Sequence, residues 1–487
     1  AVSLANFLRL FLIAPRMRGR RDKMASNRND SVKKLNEADR PNRSGNTRGA
    51  DMNQRYDARC AAFNSLLRCE CGAKYSNLEI DSAIGRYKLE DAEKRLYTTL
   101  VYGVIESKLT LEYIIARLAR RPVESLEPEV KTLLCLGLYQ LSRLDRIPEH
   151  AAVNETVELA KRFCPRATGF VNALLRAYLR ADRNALLPDP NDRMKYLSVK
   201  YSVAEELIGI FDSSLKASDE TERLLAALNV LPRPTLRVNT LKLSRDELLQ
   251  RLSDNGIEAY KSELSEFAVK LGESTISDKI RELIFSGYVY IQDEASILAL
   301  EAARPKPGEY VLDVCSCPGG KSFTAAIMMN NQGRVRSFDI HKSKLSLVDS
   351  GAKRLGITII DTAECDARAY DESLVHIADL VICDVPCSGL GVIAKKPELR
   401  YKSAADIVRL YDIQYDILEN CSNYVKPGGR LAYSTCTINR DENSGVTERF
   451  LKAHPEYTCS FEKQLLPHID GTDGFYICVL HRAGSDE

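Results

Sequence analysis

Apolar residues recur at helical spacing from Tyr56 onward. Val130, Leu133, Leu134, Gly137, Leu138 and Leu141 form one continuous stripe, the i, i+3, i+4 signature of an amphipathic helix. Pro128 suits its first turn, and Pro148 opens the next helix, where Val153, Val157 and Ala160 share a face. Val171, Leu174, Leu175, Tyr178 and Leu179 mark a further one. Strand-like alternation is absent over residues 53–183, so this region is expected to be an all-α bundle.

The pattern changes over residues 190–305. PRPTLRVNTLKLSRDELLQRLSDNGIEAY reads as a strand (Leu236–Thr240), a helix and a second strand. Ser244 followed by Glu247 is a capping box ahead of Leu248 and Leu249, and Gly256 stops the helix. YVYIQDEAS, after Gly287, is expected to be a third strand. The result is a small α/β connecting module. It lacks the aromatic pattern of an RNA-recognition motif, which leaves scaffold and RNA contact equally open.

Residues 306–487 alternate strand and helix. YVLDVC (310–315), VRSFDI (335–340), ITIID, LVICDV (380–385), RLAYSTC (430–436) and FYICVL are the expected strands, with a long helix over 404–424. Repeated βα units imply a mostly parallel, doubly wound, Rossmann-like sheet, whose ligands bind beyond the carboxyl ends of its strands. Four candidate motifs lie at such ends: CSCPGGK, Asp339, Asp384-Val-Pro-Cys387, and Thr435-Cys436.

Composition narrows the classes. The 487 residues include 69 basic and 67 acidic side chains, and no segment is apolar for long enough to span a bilayer. The near balance hides an asymmetry, because residues 1–55 hold 13 basic and 5 acidic residues. Residues 1–52 are expected to be a disordered basic tail, with Met24 a plausible start and a transit peptide the alternative. The fourteen cysteines are scattered through apolar runs, which fits reduced thiols in the cytoplasm. Cys69/Cys71 and Cys315/Cys317 are too closely spaced for a zinc pair, so no metal is expected.

The glycine loop Cys315-Ser316-Cys317-Pro318-Gly319-Gly320-Lys321 looks like a phosphate-binding loop, but Cys315 stands where the first glycine is required. What remains is a strand-to-helix turn with two glycines, followed twenty residues past Gly319 by Asp339 at the end of the next strand. A carboxylate there accepts hydrogen bonds from ribose hydroxyls. Loop plus acid describes an adenosine-type cofactor without polyphosphate, which S-adenosylmethionine fits better than ATP or NAD. Cys387 and Cys436, on adjacent βα loops, are expected to share one pocket. A thiolate is the nucleophile that methyl transfer to a pyrimidine carbon needs, because carbon 5 of cytosine is unreactive until something adds at carbon 6.

Two resemblances sharpen this reading. LYTTLVYGVIESKLTLEYII, LLCLGLYQLSRLDRIPEHAAVNETVELAKRF and GFVNALLRAYLR resemble the NusB-like helical domain, which binds RNA or packs beside an RNA-acting enzyme. Arg117, Arg120, Arg121, Lys161, Arg162, Arg166, Arg176 and Arg180 are candidates there for phosphate contact, or simply solvated charges. LDVCSCPGGKS, CDVPCSGLGVIAKKPELR, AYSTCTINRDEN and DGFYICVLHR resemble, in order and spacing, the RNA 5-methylcytosine methyltransferases. With the NusB-like domain in front, the chain resembles the RsmB/Sun family, which acts on small-subunit ribosomal RNA. The resemblance covers about residues 55–485. It implies that Cys315–Lys321, Asp339, Asp366 and Asp384 surround S-adenosylmethionine, that Cys436 is the nucleophile, and that Cys387 assists product release. Asp384 is also expected against the base. The chain departs from the family in reading CSCPGGK for CAAPGGK and DGFYIC for DGFFYA.

Lys395, Lys396, Arg400 and Lys402, just after the Pro-Cys loop, are expected to contact RNA phosphates. The expected protein is therefore a cytoplasmic, monomeric enzyme with ribosomal RNA as partner and no membrane or metal. Rival readings are a DNA cytosine-5 methyltransferase with Cys387 as nucleophile, a non-catalytic RNA-binding or antitermination factor, a methyltransferase for another RNA, and a P-loop ATPase.

Overall fold

The computed structural model describes residues 57–70, 76–215, 218–272 and 276–484. The expectation for residues 1–52 lies outside them. The chain divides into two compact units, one ending at Glu205 and one beginning at Glu206. Residues 190–205, assigned above to the connecting module, therefore cluster with the helical unit, while the rest of that module belongs with the second unit.

The helical unit contains Ala58–Glu70, Ser76–Tyr87, Asp91–Glu106, Lys108–Ala119, Pro128–Arg143, Glu149–Phe163, Thr168–Arg180 and Arg193–Tyr201. Pro128 is in the first turn of its helix, as expected. Besides the predicted stripe, Thr132, Cys135, Leu136 and Gln140 are also buried, so this helix is covered on most of its circumference. The helix Thr168–Arg180 is one-sided, with only Val171, Leu174, Leu175 and Tyr178 buried. All eight candidate basic residues of this unit are exposed.

The second unit opens with helices and then a four-stranded antiparallel sheet, order β2-β3-β1-β4: β1 Thr235–Val238, β2 Ala259–Lys261, β3 Ala268–Leu271 and β4 Val289–Ile291. The capping box forms as read, with Ser244 and Glu247 bonding reciprocally at the head of helix Arg245–Asp254. Two expectations need correction. A strand, β3, was missed, and YVYIQDEAS is a strand only to Ile291. The Asp293 carboxylate accepts from the Ala295 amide and starts the helix Glu294–Ala303, so the second half of the segment is helical.

The larger sheet has seven strands: β5 Tyr310–Asp313, β6 Arg334–Asp339, β7 Ile360–Glu364, β8 Ala378–Asp384, β9 Val425–Thr435, β10 Tyr457–Leu465 and β11 Phe475–Arg482. Their order is β10-β11-β9-β8-β5-β6-β7, with β5 to β9 parallel and β10 and β11 antiparallel. Alternate side chains feed two cores. Val311, Val335, Leu380 and Ile382 pack on one face, and Leu312, Val381, Cys383 and Leu431 on the other. Chain order reverses between β5 and β8, which opens a crevice at their carboxyl ends.

Candidate active site

Both sides of that crevice are built by loops that leave buried strands. After β5 the chain runs through Val314 to Gly319 and into helix Gly320–Met328. The Ser316 amide bonds the Phe338 carbonyl at 2.8 Å, tying the loop to β6. Gly319 caps the helix at φ +112°, and a Cβ there would stand 2.4 Å from the Phe323 ring. Only glycine makes this turn without strain. Ser316 Oγ and Asp313 Oδ1 are buried here without a hydrogen-bond partner. Burial pushes the Asp313 carboxyl up to about 7, against the hydroxyl of Ser322 donating to its other oxygen at 2.6 Å.

Lys321 does not serve the loop as the lysine of a phosphate-binding loop does. Its Nζ lies 2.7 Å from Asp384 Oδ2 and 3.2 Å from Ser296 Oγ, with the Phe475 ring 5.0 Å away. Its charge is already balanced by Asp384. Asp339 ends β6, where its Oδ1 accepts from the His341 amide at 2.8 Å. Cys317 lies against this carboxylate. Burial first, and then the Asp339 charge, push the thiol up to about 12. The Cys365 amide bonds the Asp339 carbonyl at 3.2 Å and brings the β7 loop alongside. In that loop Asp366 is clasped by Arg368 through both oxygens, at 3.1 and 2.7 Å.

On the other side, β8 and β9 end together. Asp384 pairs with Ser434 across the parallel ladder, and Ser434 Oγ donates to Asp384 Oδ1 at 2.8 Å. Three residues past the end of β8 and one past the end of β9 the loops converge, so that Cys387 Sγ and Cys436 Sγ are 3.2 Å apart. The two thiols are unlike. The hydrogen bond from Cys387 is the largest influence holding Cys436 below the ordinary thiol range; burial opposes it, and the charges of Lys396 and Lys321 assist. Cys387 is pushed well up by that same bond, then by burial and by the charges of Cys436 and Glu442. The two thiols thus share one hydrogen bond in unlike surroundings that favour ionisation of Cys436 over Cys387.

The basic stretch after Cys387 is placed differently from expectation. Lys395 is buried and bridges Asp293 at 2.8 Å and Asp473 at 2.6 Å. Arg400 is 1% exposed and donates to the Leu228 carbonyl at 2.9 Å. Neither reaches a phosphate at the surface, a correction that follows from burial. Lys402 bonds the Ser388 carbonyl at 3.3 Å, and Lys396 is half-buried with its charge felt at Cys436. Asp293, Asp313, Ser434, Glu442 and Asp473 were not singled out from the sequence. Asp313, Ser434, Glu442 and Asp473 stand inside the motifs LDVCSCPGGKS, AYSTCTINRDEN and DGFYICVLHR, which was the available signal.

A doubly wound sheet with a glycine turn after β5, an aspartate ending β6 and Lys321 already paired with Asp384 is an arrangement compatible with the methyltransferase class. The family described as 16S rRNA methyltransferase RsmB/F matches residues 300–481, the NusB family residues 56–180, and the ferredoxin-like domain of RsmF/B-like methyltransferases residues 215–276. The probable ribosomal RNA small subunit methyltransferase B of Bacillus subtilis is 38% identical over 453 residues, covering 88% of this chain and all of that one. The corresponding protein of Synechocystis is 33% identical over 88% of this chain and 99% of its own. The crystal structure of PH0851 matches 87% of this chain and 98% of its own, with a TM-score of 0.73 and 26% identity. The chain belongs to the RsmB family of ribosomal RNA small subunit methyltransferases.

Proposed function

We propose that this protein methylates carbon 5 of one cytosine in small-subunit ribosomal RNA, in the cytoplasm, through a covalent bond between Cys436 and carbon 6 of the base. The observation that carries this reading is the approach of the Cys387 and Cys436 sulfurs to 3.2 Å just past the ends of β8 and β9. Such a pair supplies both a nucleophile and a separate group for release, which two unrelated core cysteines would not.

The acceptors at the ends of β5 to β7 fit S-adenosylmethionine. Ser316 Oγ and Asp313 Oδ1 are buried and unsatisfied, and Lys321 is taken up by Asp384 rather than offered to a polyphosphate. Ser316, Gly319 and Gly320 would face the amino acid portion, Asp339 the ribose, and Asp366 the adenine side, with Cys315, Cys317 and Pro318 shaping the loop. When bound, the cofactor supplies an electrophilic methyl group on a sulfonium.

The chain's own part begins with the base, extruded from its stack at a cost of a few kcal/mol. Cys436 adds as thiolate to carbon 6, which makes carbon 5 nucleophilic toward the methyl group. Asp384, fixed by Ser434 and Lys321, accepts from the amino edge of the base. Lys321, 2.7 Å behind it, offsets the negative charge that develops on the ring. After methylation the carbon 5 proton passes to water acting as base, the electron pair it leaves re-forms the carbon 5–carbon 6 double bond as the Cys436–carbon 6 bond breaks, and the Cys387 thiol assists by donating a hydrogen bond to the departing Cys436 thiolate.

The test is to alter each cysteine separately. Cys436→Ala is expected to abolish methylation and adduct. Cys387→Ala is expected to accumulate a covalent protein–RNA species visible as a denaturation-resistant band. An active Cys436→Ala protein, with no adduct in Cys387→Ala, would reverse the roles.

A further inference from the structure

The loops that carry the two cysteines are joined by one buried carboxylate. Glu442 is fully buried at the end of the short turn Arg440–Glu442. Its Oε1 accepts from the Ser388 amide at 2.7 Å and from Gln414 Nε2 at 2.9 Å. Its Oε2 accepts from the Ser388 hydroxyl, from Asn439 Nδ2 at 3.1 Å and from the Thr437 hydroxyl at 3.5 Å. The Ser388 amide and the Gln414 and Asn439 side-chain amides are necessarily donors, and none of the partners is a lysine or arginine.

These donors are placed tellingly. Ser388 follows Cys387 in the chain, and Thr437 follows Cys436. Their hydroxyls touch at 2.7 Å, so the two cysteine loops are stitched to each other as well as to Glu442. Gln414 donates a second time, to the Pro386 carbonyl at 3.0 Å, which fixes the residue on the other side of Cys387. The Tyr433 hydroxyl bonds the Glu442 carbonyl and anchors the turn to β9. A buried carboxylate with no cation among its partners opposes, when ionised, the loss of a proton from a nearby thiol.

We propose that Glu442 is the positioning residue that gives the two thiols their separate roles: it sets the distance between Cys387 and Cys436 and keeps the proton on Cys387. The proposal rests on the assignment of Cys436 as nucleophile. The surrounding charges divide accordingly. Cys387 faces Glu442, Cys436 and the Tyr433 phenol, whereas Cys436 faces Lys396, Lys321 and Asp384. Glu442 is among the groups that raise Cys387.

The experiment measures alkylation of each cysteine by iodoacetamide against pH, resolved by mass spectrometry of the full-length protein without RNA. In the native protein Cys436 reacts at lower pH than Cys387. In Glu442→Gln the profile of Cys387 moves down by about one pH unit or more, because the anion that opposed its ionisation is gone. Single-turnover methylation falls on the order of tenfold or more, with adduct accumulating, while Glu442→Asp, which keeps the charge, retains the native Cys387 profile. Unchanged profiles in a folded Glu442→Gln protein would overturn the proposal. Should that variant not fold, Cys436→Ser carries the test: Cys387 must still ionise above an ordinary thiol without its partner, and ionisation at or below that range refutes the role of Glu442. An active Cys436→Ala protein would instead refute the underlying assignment of the nucleophile.

Discussion

At the scale of residues, the argument turns on side chains whose neighbours come from distant parts of the chain. The cysteine pair was legible because both residues stand just past apolar runs that had to be adjacent strands, and a doubly wound sheet puts such ends together. Their proton sharing has a pH consequence. Thiolate addition requires Cys436 deprotonated, so the rate of adduct formation rises with pH through the pKa of Cys436, which lies below the ordinary thiol range. In Cys387→Ala the hydrogen bond that contributes most to that lowering is lost. The acid limb of the adduct-formation profile is then expected to move to higher pH, and an unmoved limb would show that Cys387 does not support the thiolate. Lys395 teaches the opposite lesson. KKPELR reads as a solvated run, yet Lys395 pairs with Asp293, 102 positions away, and with Asp473, 78 positions away. No local pattern encodes partners at that separation. Lys395→Met leaves two buried carboxylates without their cation and is expected to cost about 3–5 kcal/mol in urea denaturation. RNA affinity of the folded fraction should be unchanged; a loss of affinity with normal stability would restore the phosphate-contact reading.

At the scale of elements, strands buried on both faces announced themselves, and exposed ones did not. β5 and β8 are runs of valine, leucine and isoleucine because each face meets a core. β10 is an edge strand with most of its residues exposed or half-buried, so its sequence YTCSFEKQL carries no such run. Likewise the apolar start of YVYIQDEAS masked the capping aspartate that turns the chain into a helix. Close approach between loops was equally invisible. Gly391 donates its amide to the Cys436 carbonyl at 3.1 Å and accepts from the Gly474 amide at 2.9 Å. A Cβ on Gly391 would lie 1.8 Å from the Gly474 carbonyl oxygen. Gly391→Ala must therefore push the final β-strand's approach loop away from the loop bearing the nucleophile. The expected outcome is a loss of about 1–3 kcal/mol in stability together with slowed adduct formation. Full activity and an unchanged melting temperature would show that the backbone contact is dispensable.

At the scale of the whole molecule, the charge balance of 69 against 67 carried no information about partners. The structure shows why such a sum is blind. Lys395, Arg400 and Lys321 are counted as basic residues but are buried and engaged, whereas the eight candidate residues of the helical unit are exposed. The succession of a helical unit, a small α/β module and a doubly wound sheet was readable in outline from the hydrophobic spacing, whereas the four-stranded antiparallel pairing of the module was not. The division at Glu205 was not, because it depends on which helices pack together rather than on any change in composition. The central claim concerns one methyl group on one RNA. Its most direct measurement is bisulfite sequencing of small-subunit ribosomal RNA from cells lacking this protein, complemented with either the native chain or Cys436→Ala. The account predicts one cytosine protected from conversion with the native chain and converted both in the deficient cells and with Cys436→Ala. A methylation map identical in all three would contradict it.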